Sequence, residues 1–501
     1  MLFADAEGEI VEHETWRCVG RSGKTPVVLQ PEDFIPLPEG SEFFFLPGRV
    51  PLGWNPKSGK IEPYEGTEAV AAFISPAHSQ TYLAAYEKRG TAPILPLYAY
   101  TAVGWFNDRF WTAAVRVDPD LRQDVSQFHQ PLVDRSIDQM RKRFPANRVV
   151  EHLAENCASD YSCRAAQNFF LNRWECPVPA SPACNATCLG CISLQEDEDV
   201  HSAHFRLKFI PDPNEIAEMA LYHLESAPYP IVSFGQGCEG EPLLVWETLV
   251  QAIQKIRAQT SKGIINMNTN GSKPDAVEAL CQAGLQSIRV SMNSARKDWY
   301  TNYYLPRNYA FEDLVESLKV VRKHGGWASI NYFVFPGCTD TPAEWDALQR
   351  LIETTDLSMI QWRNFNIDPD WYFKKLRKQP DGNPFGVLEL MHRVREQYPH
   401  IAYGYFNPAE KSGFLKKTST ACCATARPCW LRADSSPSTS IPWASAPWSP
   451  TRSSASTSSA SLSCSSSPSP TPTAKSCPWA RWLAWVLKAP FKNLNAPNFR
   501  V

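Results

Sequence analysis

The sequence predicts an α/β protein built on a partial (β/α)6 barrel. A small β-rich or α+β N-terminal domain precedes the barrel, and a disordered tail follows it. Three observations carry this prediction. Strand-like and helix-like segments alternate between residue 165 and about residue 410, which implies a parallel sheet under covering helices. Before residue 120, short β-type runs sit among Gly, Pro and aromatic residues. Beyond residue 410 the alternation stops and serine takes over.

Composition sets the frame. A chain of 501 residues holds two or three cores. A formal charge of −2 and a pI near 6.6 argue against a broad nucleic-acid footprint. No apolar run approaches the ~20 residues that span a bilayer. The start, Met1-Leu-Phe-Ala-Asp-Ala-Glu-Gly-Glu9, places acids where a signal peptide has a basic stretch, so a cytoplasmic location is expected. In that compartment fifteen cysteines point to metal or redox chemistry rather than to disulfides.

Taken in order, residues 1–120 give strand-like runs at Thr25–Leu29, Glu42–Leu46, Ile94–Thr101 and Phe110–Val117. Trp105, Phe106 and Trp111 form either an aromatic core or a binding face. Residues 121–168 read as a helical linker, because Val125, Phe128, Leu132, Ile137 and Met140 recur near helical spacing.

Residues 169–410 then supply the barrel. The strands expected there are Phe169–Trp174, Ile231–Phe234, Gly263–Asn268, Ser287–Ser291, Ala328–Phe335 and Met359–Phe365. Between them come helices Asn214–Glu225, Leu244–Ala258, Asp275–Gln282, Phe311–Lys323 and Ala343–Thr354. In such a barrel the active residues stand at the C-terminal ends of the strands.

Residues 411–501 are a Ser/Pro-rich, low-complexity segment. Seventeen of the thirty-five positions from Ser435 to Ser469 are serine, and Asp434 is the only acid after Glu410. A linker or mucin-like stalk has that bias, but the interspersed Trp and Cys suit an out-of-frame translation better. Either origin leaves too little patterned apolar surface to offset ordering entropy.

The chemistry concentrates in Pro182-Ala-Cys-Asn-Ala-Thr-Cys-Leu-Gly-Cys191. Cys184, Cys188 and Cys191 in a C-x3-C-x2-C spacing can hold three irons of a [4Fe-4S] cluster and leave the fourth open. The same thiols could bind zinc as a Cys3His site with His201 or His204, or be inert structural cysteines. Upstream, Cys157, Cys163 and Cys176 are structural thiols or ligands of an auxiliary cluster. Cys422, Cys423 and Cys429 lie in the suspect tail.

After the second strand comes Gly235-Gln-Gly-Cys-Glu-Gly-Glu-Pro242. Gly235, Gly237 and Gly240 spell the dinucleotide-binding pattern G-x-G-x-x-G. That reading needs an acid about 20 residues on to hold a ribose, and Asn268-Thr-Asn-Gly271 offers none. In the fourth strand, alternation puts Arg289, Ser291 and Asn293 on one face, a polar trio suited to a ligand pocket. Gln361, Arg363 and Asn366 at the sixth strand end either line the same space or face solvent.

Together the cysteine triad, Glu239-Gly240-Glu241-Pro242, Thr269-Asn270-Gly271 and the Pro336-Gly337 turn resemble the radical S-adenosylmethionine (radical SAM) enzyme superfamily. The resemblance spans about residues 165 to 370. It implies a [4Fe-4S] cluster on the triad and SAM as a second cofactor. Gly240, Glu241 and Pro242 would face the SAM amino group, with either an exposed Glu241 carboxylate or backbone carbonyls of the turn accepting from the ammonium. Thr269 and Asn270 would sit at the same end, and Ser291, Asn293 and Arg289 would serve its ribose and carboxylate.

The implied reaction is reductive cleavage of SAM to a 5′-deoxyadenosyl radical that abstracts hydrogen from an unidentified substrate. The electron would come from a flavodoxin- or ferredoxin-type one-electron reductant. Two departures from the family pattern stand out: Glu239 replaces a glycine, and Gly190 replaces an aromatic residue that packs near adenine. A zinc-binding interaction protein, or a degenerate member without turnover, are the alternatives.

Overall fold

The computed structural model describes residues 1–407 apart from residues 91, 197, 198, 201, 380 and 381, and those described residues fall in one compact unit. The serine-rich segment expected over 411–501, with its three cysteines, lies outside the described residues, as does His201.

A seven-stranded, all-parallel, curled half-barrel sheet organises the centre of the molecule. Its strands follow chain order: β1 (Glu175–Pro177), β2 (Ile231–Phe234), β3 (Ile264–Thr269), β4 (Ser287–Met292), β5 (Trp327–Val334), β6 (Met359–Asn364) and β7 (Ala402–Gly404). The helices between them are α1 (Pro213–Ser226), α2 (Trp246–Arg257), α3 (Pro274–Ala283), α4 (Lys297–Tyr304), α5 (Phe311–Lys323), α6 (Pro342–Thr355), α7 (Pro369–Leu376) and α8 (Val387–Gln397).

Local chemistry fixes these elements. Asp212 and Glu215 close a capping box around Pro213 at the start of α1. Helix α2 buries Leu249, Ala252, Ile253 and Ile256, the i, i+3, i+4, i+7 stripe of an amphipathic helix. Each of its larger aliphatics contributes roughly 1.5–3 kcal/mol by leaving water.

The two faces of the sheet differ. Ile265, Met267, Ile288, Val290, Ile330, Tyr332, Ile360 and Trp362 form a fully buried apolar face. The other face carries a polar lattice in which Ser287 Oγ donates to Asn266 Oδ1 (2.8 Å) and Arg289 Nη1 reaches Gln361 Oε1 two strands away (2.6 Å). Asn407, just past β7, donates to Glu175 Oε1 on β1 (3.0 Å) and to Ser233 Oγ on β2 (3.1 Å), so the two edges of the sheet curl towards each other.

The N-terminal region is antiparallel β structure, including strands Arg17–Ser22, Glu42–Leu46, Arg49–Asn55 and Ala69–Phe73. It is sewn to the C-terminal ends of β5 and β6. Gln80 Nε2 donates to the carbonyls of Val334 (3.1 Å) and Phe365 (3.2 Å), and Ser79 Oγ donates to Trp362 O (2.8 Å). Arg49 and Asp368, both fully buried, form an ion pair at 2.6 Å.

Several expected elements change. Residues 94–101 form no strand: Pro93 and Pro96 lack ladder donors, and their carbonyls accept from Arg49 and Tyr100 instead. The run Phe110–Val117 splits into Arg109–Thr112 and Ala114–Arg116, which pair with different strands. Phe169 and Phe170 end a helix, Arg164–Phe170, and the first barrel strand starts later, at Glu175. The turn between them passes through Asn172 at φ 50°. Of the three aromatics, Trp105 packs edge-on to Phe110 at 4.5 Å, while Phe106 is exposed. The barrel also gains α4, α7, α8 and β7, which alternation alone did not reveal.

Candidate functional site

The cysteine loop places Cys184 seven residues beyond the end of β1 and has no regular structure of its own; backbone bonds from two sides give it shape. On one side Gly240 N–H donates to Ser181 O (2.7 Å) and Glu241 N–H to Ala183 O (2.8 Å), stapling the glycine turn after β2 to the residues just before Cys184. On the other, Thr187 and Leu189 donate to the Tyr304 and Tyr303 carbonyls at the end of α4, both at 3.0 Å. Asn185 closes a third side: its Nδ2 donates to Ser272 Oγ (2.9 Å) and its Oδ1 accepts from Asn270 Nδ2 (2.7 Å).

This arrangement explains Gly240. A Cβ there would overlap the carbonyl of Ala183, so any side chain pushes the turn off the cysteine loop. The amides that would cradle a pyrophosphate in a dinucleotide fold are spent on Ser181 and Ala183. Helix α2 also starts only at Trp246, after a 3-10 turn at Pro242–Val245. Chain geometry thus removes the dinucleotide alternative.

Glu241 differs from expectation in its exposure. Expected to be exposed, it is buried, and protein donors already occupy its carboxylate. Oε1 accepts from Leu243 N (3.0 Å) and Thr269 Oγ1 (2.5 Å), and Oε2 accepts from Asn270 N (2.7 Å). The side chain braces the turn against the end of β3. Glu239, in the place of a family glycine, does the same for the far side: it accepts from Ala180 N (2.7 Å), Ser181 N (2.9 Å) and Gln236 N (2.7 Å). Burial pushes both carboxyls up to about 7, against the pull of these donors.

All three thiols are half-buried. Burial raises the Cys184 thiol to about 11, with the Glu241 charge adding to it, and moves Cys188 well above its usual range, with Cys191 and Cys184 reinforcing the shift. Arg206, which the sequence did not single out, places Nη2 3.4 Å from Cys191 Sγ and Nε 3.1 Å from Ser193 Oγ. Among the described residues, the one group of His, Cys, Asp or Glu whose ligand atoms all lie within 4.8 Å is not this triad but His152, Cys157 and Cys238. Thiolates sharing one zinc stand about 3.8 Å apart, from a Zn–S bond of about 2.3 Å. The triad's sulfurs are not all within 4.8 Å of one another, and three thiols are a donor set that a [4Fe-4S] cluster takes. His204 turns its ring onto Tyr161, with centroids 4.5 Å apart.

The remaining expected residues fall in two groups. Pro242, Thr269 and Asn270 cluster with Glu241 beside the cysteine loop, and all are buried. Arg289, Ser291 and Asn293 lie along β4 and just beyond it. Arg289 is bonded to Gln361; burial, with Arg363 adding to it, lowers its pKa to about 9. Asn293 Nδ2 donates to Trp299 O (3.2 Å) and Tyr372 Oη (3.1 Å), leaving Oδ1 buried without a protein partner. Asn331 Oδ1, on the neighbouring strand, is likewise unpartnered. Arg363 donates to Tyr405 O (3.0 Å). The space a side chain at Gly190 would occupy is filled by Ile367 (2.6 Å) and the Tyr303 hydroxyl (2.7 Å).

Residues 178–349 match the family model described as the Radical SAM superfamily. Among solved structures, anSMEcpe with bound AdoMet matches at 18% identity over 38% of this chain and 50% of its own, with a TM-score of 0.28. A radical SAM methyltransferase from Sphaerobacter thermophilus matches at 15% over 40% and 63% (TM-score 0.30). Methylornithine synthase matches at 14% over 54% and 78% (TM-score 0.33). The alignments to the first two thus cover about half to three-fifths of those chains. No curated protein matches the sequence.

Proposed function

Because the chain belongs to the radical SAM superfamily, a family of enzymes, we propose that Cys184, Cys188 and Cys191 hold a [4Fe-4S] cluster whose open iron takes SAM. The observation that supports this most is the stapling of the cysteine loop between the glycine turn and α4. The bound cofactors supply one-electron reductive cleavage of SAM to a 5′-deoxyadenosyl radical; the protein supplies their orientation.

In this reading the turn at Gly240, Glu241 and Pro242 forms the rim that meets the methionine end of SAM. Glu241 keeps that rim rigid through Thr269 and Asn270 rather than touching the ammonium itself. Ser291 serves a ribose hydroxyl, and the unpartnered Asn293 Oδ1 accepts from the ligand. Arg289, still largely cationic at neutral pH, is the charge partner for a carboxylate. The N-terminal module, fastened to the ends of β5 and β6, flanks the side where substrate enters and limits water. A one-electron donor of flavodoxin or ferredoxin type completes the system, and the substrate is a C–H donor of unassigned class.

Anaerobic reconstitution tests this directly. The protein should take up about four irons and four sulfides on the triad. With dithionite it should convert SAM to 5′-deoxyadenosine and methionine. A preparation that stays colourless after reconstitution overturns the proposal, and a brown one that leaves SAM intact reduces it to a degenerate member.

A further inference from the structure

We propose that His152, Cys157 and Cys238, with His204 as fourth ligand, form a tetrahedral zinc site separate from the triad. The ligand atoms of the first three already lie within 4.8 Å of one another, and both cysteines are buried. The donor set, two thiols and imidazole nitrogen, suits zinc over harder ions.

The backbone is wound to make this group. His152 ends the helix Arg148–His152, and Cys157 sits on the π-helical stretch Leu153–Asp160 that follows. An α-helix sends residues i and i+5 to diverging faces. The wider π turn, bonded i to i+5, brings them onto one face, and such windings are rare and frequently sit at functional sites. Cys163 N–H then donates to Cys157 O (2.8 Å), folding the chain back after the π turn.

His204 arrives from the other direction. Leu207 N–H donates to Cys238 O (2.8 Å) and Asn156 Nδ2 to Phe205 O (3.2 Å), so the segment 204–207 lies across both cysteines' neighbourhoods. A Cβ on Gly237, next to Cys238, would stand 3.9 Å from His204 Cδ2. His204 Nδ1 is buried and has no hydrogen-bond partner, an orphan that a metal bond would satisfy. Asn156 Nδ2, 3.5 Å from Cys157 Sγ, supplies an outer contact of the kind that steadies a metal ligand. Of the upstream cysteines weighed for an auxiliary cluster, Cys157 joins this group, whereas Cys176 is buried within β1.

The site would tie the helical segment before the barrel to the turn that carries Gly240 and Glu241. It does not rest on the cluster reading, because it shares no ligand with the triad. The test uses full-length protein with Cys184→Ala, Cys188→Ala and Cys191→Ala, purified without added iron and assayed for metal. About one zinc per chain should remain, and adding Cys238→Ser or Cys157→Ser should remove at least nine-tenths of it. His204→Ala should weaken zinc at least tenfold against a chelator. No zinc in the triad variant, zinc indifferent to Cys238→Ser, or a Cys157–Cys238 disulfide found by mass spectrometry would each overturn the proposal. If the triple variant does not fold, zinc-edge X-ray absorption on the wild-type protein decides. Two sulfur and two nitrogen neighbours support the site, and any other shell or absent zinc refutes it.

Discussion

The triad takes its three thiols from eight consecutive residues, whereas the second thiol group collects its ligands from residues 152 to 238. The triad loop owes its shape to backbone bonds shared with the glycine turn and α4 and to a side-chain bond from Asn270 to Asn185. The second group owes its shape to helix winding, which sets His152 against Cys157, and to a single loop residue, Cys238. Adjacent ligands on one pinned loop can surround a cluster. Ligands gathered from separate segments suit one small ion. The two regions share the turn from Gly235 to Pro242, which donates Cys238 to one and Gly240 to the other.

The largest effect should come from Cys188→Ala, which removes one of three protein ligands. Iron after reconstitution should fall to background while the zinc count stays unchanged. Loss of both metals together would show that the two regions are one site.

Gly240→Ala should come next, because its Cβ collides with backbone rather than with a flexible side chain. A misfit of that kind costs about 1–3 kcal/mol or more. Melting temperature and reconstituted iron should fall together, with iron below half. A variant with normal iron and impaired SAM cleavage alone would mean that the turn touches SAM but does not shape the cysteine loop.

Asn185→Ala deletes two side-chain hydrogen bonds, to Ser272 and from Asn270, each worth about 1 kcal/mol net. Iron should bind but leave faster under a chelator. A chelation rate equal to wild type would show that the third side of the loop is idle.

Arg206→Gln is the subtlest. Removing a cationic donor from Cys191 Sγ disfavours the more negative, reduced cluster, so the midpoint potential should become more negative. A redox titration followed by electron paramagnetic resonance reads this, and a potential that stays fixed or rises would contradict it.

The barrel was largely legible, and for a physical reason. Strands buried on both sides read as apolar runs and amphipathic helices as stripes spaced three and four apart, so strand Ile231–Phe234 and helix Phe311–Lys323 fall where alternation puts them. Helix α4 was hidden because its buried residues, Trp299, Tyr300, Tyr303 and Tyr304, are aromatics common in strands, and no side chain caps its start. Strand β7 is three residues long, too short for alternation to register.

At the site, the spacing of the triad was visible because its ligands are neighbours in the chain. The roles of Glu241 and Glu239 were not, since a carboxylate's donors come from Thr269, Asn270, Ala180 and Ser181, which only the fold assembles. The His152–Cys157 pair was invisible for a subtler reason: five-residue spacing looks wrong for a shared helix face unless the helix is π-wound.

A cluster on the triad that keeps one iron open to SAM should change its electronic signature when SAM binds. Electron paramagnetic resonance of dithionite-reduced, reconstituted protein with and without SAM tests it most directly. A [4Fe-4S]+ signal should appear, change on adding SAM and vanish in Cys188→Ala. A signal indifferent to SAM, or one that survives loss of Cys188, would contradict it.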